Sequence, residues 1–383
     1  MDFEGTRLTR GQLVKNAAAA AVGLTILGAP AAANAAGRRQ LAGTAADDML
    51  ADLIAAAKKE GKLNTIALPP DWANYGEIMA AFQKKYGIKI TNANPNGSSA
   101  EENQAIVSLK GQKRAPDVVD VGPAFAIQGA KDGIYAPYKV STWATVPASM
   151  KDAGGMWIGD YWGVVSFGVN TKLVKNVPTS WADLLKPEYK NQVALNGDPL
   201  QAGAAFAGVY SAALANGGTL ANISPGIDFF KKLKDVGNFI PVGVTPATIA
   251  SGQTPIAIDW DYLNFANVAA LKKSGVDFKV AVPKTGVYGA FYAQAISATA
   301  PNPNAAKLWQ EFLYSDEGQL LFLKGGTHPA RFADLAKRGK VPAAMLAALP
   351  SPSAYAKVRF ASSEQQTAAK AKLATEWPAK VAA

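Results

Sequence analysis

The residues best suited to chemistry form one tetrapeptide, Asp259-Trp260-Asp261-Tyr262, directly after the apolar run Ile256-Ala257-Ile258. Two carboxylates at the end of a buried strand are costly unless they are solvated or used. Beside aromatic rings they suit a cation: the carboxylates accept hydrogen bonds from an ammonium group, and ring faces attract its charge. An Asp that caps a helix beside a packed Trp is the plainer alternative. Ser98 and Ser99 form a second group. Glu101 and Glu102 follow them at capping-box spacing, which reads as a helix start; hydroxyls and free amides at a helix N-terminus also suit an anionic group. Gln201, just ahead of an Ala-rich segment, offers the same chance. Trp72, Tyr75, Trp162 and Tyr288 read either as walls of a binding cleft or as packing beneath loops. Gly122, at the end of a third strand, completes the set.

Enzyme chemistry has little support. The chain has one His, His328 in Gly-Gly-Thr-His-Pro, and no Cys. That argues against a catalytic triad and a multi-His metal site, and it removes thiol catalysis, disulfides and a lipid-attachment cysteine. No P-loop, dinucleotide fingerprint or nucleophile elbow is present. The sequence therefore calls for no catalytic residue, no metal and no cofactor.

The elements that must position these residues alternate. A helix over 47–59 stops at Gly61, and Leu63–Leu68 is a strand leading into the Pro-Pro-Asp-Trp loop. Tyr75–Tyr86 is an amphipathic helix ended by Gly87, followed by a strand over 88–91, a helix from about Glu101 to Gly111, a strand over 115–121 and a helix near 126–131. An apolar run, Val164–Val169, turns at Asn170; a short helix about Trp181 and a strand over 192–195 follow. Beyond lie helices over 202–215 and 225–236, then strands at 256–258, 280–283 and 291–297. This is an α/β pattern, in which ligands sit beyond the carboxyl ends of the strands. Every candidate above follows a strand or lies at a crossing.

At 383 residues the chain is long enough for two lobes, and 49% hydrophobic with 18% charged residues describes a packed globular protein. The formal charge is +10. Its Lys pairs are scattered over polar helix faces with no arginine-rich arm, which argues against a nucleic-acid partner. Residues 1–36 read as an export signal: Arg7 and Arg10, then AAAAAVGLTILGAP, then small residues ending at Ala33-Asn34-Ala35 for cleavage.

The stretch YWGVVSFGVNTKLV…VPTSWADLLKPEYKNQVAL resembles the lobe crossover of extracellular solute-binding proteins of ABC importers. EGKLNTIALPPDWANYGEIMAAFQKKYGIKI resembles the opening of the same class, and APNPNAAKLWQEFLYSDEGQLLFLKGG its late helix pair. The resemblance covers about residues 47–340, within the branch that includes iron- and polyamine-binding proteins. It implies a two-lobe type 2 periplasmic-binding-protein fold with a ligand cleft between the lobes. The implied lobes are 45–165 plus 284–323, and 166–283 plus 324–383, with crossings near 162–167, near 283–288 and after about 323. It further implies a monomeric, non-enzymatic protein outside the cytoplasmic membrane, which passes a small solute to a membrane permease. Two adjacent tyrosines of the iron branch fall at about Asp261 and Tyr262, and only the second is kept. Trp260 and Asp261 resemble the residues with which the polyamine branch holds amines. The expected solute is an amine or an amino-acid-like zwitterion, of polyamine, 4-aminobutyrate or aminophosphonate type. Ferric iron or an oxyanion is the alternative within the class; a secreted hydrolase using Ser98 or Ser99 is the remote one.

Overall fold

The computed structural model describes residues 48–348 and 357–382, so the export signal expected over 1–36 lies outside the described residues. Residues 48–60 form helix α1, and β1 (Lys62–Ile66) pairs in parallel with β2 (Lys89–Ala93) across α2 (Tyr75–Tyr86). Gly87, at φ 70°, ends α2 in the left-handed conformation that glycine adopts without strain. Helix α3 (Ser99–Ser108) is started by Ser98, whose side chain and Glu101 form a reciprocal capping box. Next come β3 (Val118–Val121), α4 (Pro123–Lys131) and β4 (Tyr135–Ala136). The strand expected from 115 begins only at 118. Asp117 is diverted to other partners: its carboxylate accepts the Asn64 amide at 2.6 Å and the Asn302 amide at 2.6 Å.

The centre of the molecule is β5 (Ile158–Asn170), buried along nearly its whole length. A strand covered on both faces reads as a largely apolar run, and this one does apart from the buried Asp160, Ser166 and Asn170. Its first part, 158–164, pairs antiparallel with β10 (Gly289–Ser297). Its second part pairs with β8 (Ile256–Trp260) from Val165 onward and with β9 (Phe278–Ala281) from Phe167 onward. One strand thus serves two lobes, and the change of partner falls between Val164 and Val165. With β6 (Val193–Leu195) and β7 (Phe239–Ile240), the sheet order is β3-β10-β5-β8-β6-β7. The short helix expected about Trp181 is a 3-10 turn, Ala182–Leu185.

The second lobe carries α5 (Gly203–Ala215), α6 (Ser224–Asp235), α7 (Pro246–Ser251) and α8 (Asp261–Lys273). Helix α8 lies hard against β5. A Cβ on Gly163 would come within 2.6 Å of Asp261 Oδ1 and of the Tyr262 ring. After β10 the chain forms α9 (Pro303–Leu313), α10 (Asp316–Lys324), β11 (His328–Pro329), α11 (Phe332–Lys337) and α12 (Ala343–Ala348). The described residues of 324–383 touch both lobes: β11 pairs with Trp162 and Tyr161 of β5. Helix α13 (Ser363–Trp377) sets Lys370 Nζ 3.7 Å above the Phe125 ring of α4 and packs Trp377 edge-on against Phe230 of α6. Among the described residues no helix is long and apolar enough to cross a membrane.

Candidate functional site

Between the lobes lies a cleft of about 800 Å³. The loop after β1 contributes Asp71 and Trp72, and the start of α3 contributes Ser98, Ser99 and Glu102. Asp120 comes from β3 and Tyr292 from β10. Facing them are Asn196, Asp198, Gln201 and Gly203 after β6, Asp259 at the end of β8, and Leu263, Ala266, Asn267 and Ala270 along α8. Of the residues singled out in the sequence, Trp72, Ser98, Ser99, Gln201 and Asp259 meet here.

The others lie elsewhere. The tetrapeptide is cut in two, since Asp259 and Trp260 end β8 while Asp261 and Tyr262 begin α8. The Asp261 carboxylate accepts the Val164 backbone N–H at 3.0 Å, exactly where β5 changes partner, and does not line the cleft. Trp260 is buried, stacked on Tyr262 at 6.3 Å between ring centroids. Tyr262 in turn meets the edges of Trp72 at 6.2 Å and Tyr161 at 5.6 Å. Tyr75 sits beneath the cleft, its hydroxyl donating to Asp120. Trp162 stacks on His328 at 4.1 Å, and Tyr288 on Tyr210 at 4.7 Å, both away from the cleft lining. Gly122 lies against Gly203 below it.

Sequence reasoning missed Asp120, Glu102 and Tyr292. The signal for Asp120 was available: an acid inside the apolar run Val118-Val119-Asp120-Val121 follows the same logic that drew attention to Asp259. Glu102 was read only as a capping residue, and nothing in the pattern of β10 marked Tyr292.

The cleft is electrostatically one-sided. Asp71, Glu102, Asp120, Asp198 and Asp259 line it, and among the described residues no Lys, Arg or His does. This holds in a chain of formal charge +10. Glu102, Asp120 and Asp259 are 2–4% exposed. Burial pushes Asp120 and Asp259 up to about 7 and Glu102 well above the usual carboxylate range. Asp259 accepts from Asn196 Nδ2 at 2.8 Å and from the Trp260 N–H at 2.7 Å. Glu102 accepts the Asp120 N–H at 2.9 Å. Asp120 Oδ2 accepts from the Tyr75 and Tyr161 hydroxyls at 2.8 and 3.0 Å, while Oδ1 is buried with no hydrogen-bond partner among the described residues. Trp72 joins this network by donating from Nε1 to the Tyr161 hydroxyl at 2.6 Å, and its ring meets Tyr292 edge-on at 5.3 Å.

A different potential exists at the start of α5. Its N-cap, Ala202, offers no side-chain cap, and Gly203 and Ala204 line the cleft with first-turn amides that the helix itself does not use. Across from it, the Ser98 hydroxyl is held by Glu101 at 2.9 Å and Ser99 Oγ accepts the Gly122 N–H at 3.1 Å. Neither serine faces a histidine, and the one carboxylate on a serine, Glu101 on Ser98, is engaged in the helix cap. Among the described residues no three His, Asp or Glu side chains converge on one point as metal ligands would.

A family model described as Bacterial extracellular solute-binding protein matches residues 113–357. An uncharacterized protein of Haemophilus influenzae is 30% identical over 262 residues, 64% of this chain and 71% of that protein. The spermidine/putrescine-binding periplasmic protein of Salmonella typhimurium is 25% identical over 264 residues, 63% of this chain and 71% of that protein. Among solved structures, the periplasmic binding protein AfuA from Actinobacillus pleuropneumoniae, with fructose-6-phosphate bound, superposes with a TM-score of 0.67. It is 20% identical, and the match covers 84% of this chain and 99% of AfuA.

Proposed function

The chain belongs to the family of bacterial extracellular solute-binding proteins, the solute-capturing components of ABC transporters, and from that premise we propose that its cargo is a small organic amine. The observation that carries this reading is the cleft lined by five carboxylates and no basic side chain among the described residues. An ammonium group placed between Asp120 and Asp259 would give Asp120 Oδ1 the donor it lacks and offset the burial of both charges. Trp72 and Tyr292 would supply ring faces to the same cation. A phosphate or other oxyanion would meet the acids with no opposing charge.

A zwitterion of 4-aminobutyrate or aminophosphonate type is the second reading, favoured by the uncapped start of α5, whose amides suit an anionic end of such a solute. Ferric iron is less well served, because no three acidic or His side chains converge among the described residues. A hydrolase is less well served, because the carboxylate beside Ser98, Glu101, is spent on capping α3 and Ser99 Oγ accepts the Gly122 N–H. In this reading the protein is a monomer outside the cytoplasmic membrane, cleaved after Ala35, handing its solute to a permease and binding no nucleic acid.

Mass spectrometry of solute released from the purified protein tests the class directly. Calorimetry against putrescine, spermidine, 4-aminobutyrate, 2-aminoethylphosphonate and ferric citrate then ranks the candidates. Stoichiometric binding of an amine without turnover is expected; binding of ferric citrate or of an anion without an amino group, with no response to any amine, would overturn the proposal.

A further inference from the structure

Two glycines from opposite lobes meet beneath the cleft. A Cβ on Gly122 would lie 3.0 Å from the Cα of Gly203, and one on Gly203 would lie 3.1 Å from the Cα of Gly122 and 3.2 Å from the Tyr292 hydroxyl. Neither position needs glycine for its local backbone. Gly122 has φ −58° and ψ 150°, which any residue adopts, and Gly203 opens a 13-residue helix where alanine is the better helix former. What glycine permits here is the approach of one chain to the other. Beside this contact the Ala100 N–H donates to the Gln201 carbonyl at 3.2 Å, a second backbone link between the first turn of α3 and the approach to α5. Ser99 Oγ, which accepts the Gly122 N–H, ties that turn to the glycine contact.

We propose that the Gly122–Gly203 contact is the closure stop of the cleft, the point that fixes how near the lobes come and therefore which length of solute the closed cleft accepts. This rests on reading the cleft as the solute site. A methyl group at either position holds the lobes apart, because what it meets is backbone, which cannot rotate aside as a side chain does. A small displacement at the contact widens the cleft, so a short amine loses its hold on one wall before a long one does. Gly203 and Gly122 are thus specificity-determining positions that need not touch the solute.

The chain has no cysteine, so two introduced ones can be labelled without background. Val107→Cys on α3 and Val268→Cys on α8, at 53% and 36% exposed positions, report the separation of the lobes by paired spin labels. The parent is expected to show a short-distance component, with or without spermidine, that Gly203→Ala and Gly122→Ala each shift to longer distance. The double variant should shift less than the sum, since both methyl groups act at one contact. Putrescine affinity should fall by roughly 5- to 100-fold, as an overpacking strain borne only on closure implies, and spermidine affinity by less. Thermal midpoints should stay within the parent range, which separates a closure effect from misfolding. Unchanged distances together with an unchanged putrescine-to-spermidine ratio would overturn the proposal. So would the absence of the short component from the parent under every condition, because the contact would then not be reached in solution. If neither amine binds the parent but the variants still shift the label distances, the closure stop stands and only the amine reading fails.

Discussion

The Tyr75 hydroxyl lies 3.1 Å from Asp160 Oδ2 while its single hydrogen serves Asp120 Oδ2 at 2.8 Å. Gln294 Nε2 donates to the same hydroxyl at 2.9 Å. A phenol has one hydrogen to give, so the contact with Asp160 is a hydrogen bond only if Asp160 carries the proton. Burial, and then the nearby Asp120, raise Asp160 well above the carboxylate range, in agreement with that count. Beneath an acidic cleft there is thus a carboxyl group, Asp160, whose surroundings favour its neutral form.

Asp160→Asn should therefore be tolerated, with a change in unfolding free energy within about 1 kcal/mol, because an amide also donates to Tyr75. Asp160→Ala leaves buried polar partners unpaired and should cost about 1–3 kcal/mol. Urea unfolding of the ligand-free protein measures both. Equal destabilisation by the two substitutions would show that the proton on Asp160 is not what matters.

Asp120→Asn or Asp259→Asn should lower affinity for the amine by roughly 30- to several-thousand-fold, the effect of about 2–5 kcal/mol for removing one partner of a buried charged pair. Asp261→Asn should act on stability instead, since its carboxylate holds the Val164 amide and does not line the cleft. Calorimetry with the released solute, beside thermal melts, separates the two effects. A large affinity loss in Asp261→Asn with an unaltered melt would return the binding role to that residue.

The acids of the cleft make both stability and binding depend on pH. Asp120 and Asp259 are raised to about 7 from the ordinary value near 4, so the folded chain holds protons that the unfolded chain has already released. Their contribution to ligand-free stability is full below about pH 4 and is lost as pH rises through 7. The melting temperature of the empty protein should fall between pH 5 and 8. Amine affinity should rise over the same window, because a cation favours the ionised carboxylates. Affinity that is flat from pH 5 to 8 would mean that neither acid titrates on binding.

Trp72 joins the cleft to the buried network through Tyr161, so its loss should act twice. Trp72→Ala should weaken amine binding by about 0.5–2 kcal/mol through the lost ring face. Trp72→Phe keeps a ring but no indole N–H, and should recover most of the affinity. If the two substitutions weaken binding equally, the hydrogen bond to Tyr161 is the feature that counts.

Much of the architecture was legible because it rests on short-range chemistry. The α2 stop at Gly87, the Ser98 capping box and the apolar run of β5 all follow from neighbours within a few residues. The site was less legible because a strand-to-helix junction reassigns direction. Asp259 and Asp261 are two residues apart, yet the first reaches the cleft and the second turns to the Val164 amide, since β8 ends and α8 begins between them. Asp120 and Tyr292 come together only through the pairing of β3 with β10, a relationship that no local pattern encodes.

That pairing also sets an order of events in synthesis. Val121 of β3 is paired with Ala293 of β10, so the first lobe lacks an inner strand until the ribosome has made almost the whole of the second. Early segments of this chain have no completed sheet to settle into and must remain open while elongation proceeds. Such a nascent chain stays threadable for as long as the pairing partner of β3 is unmade.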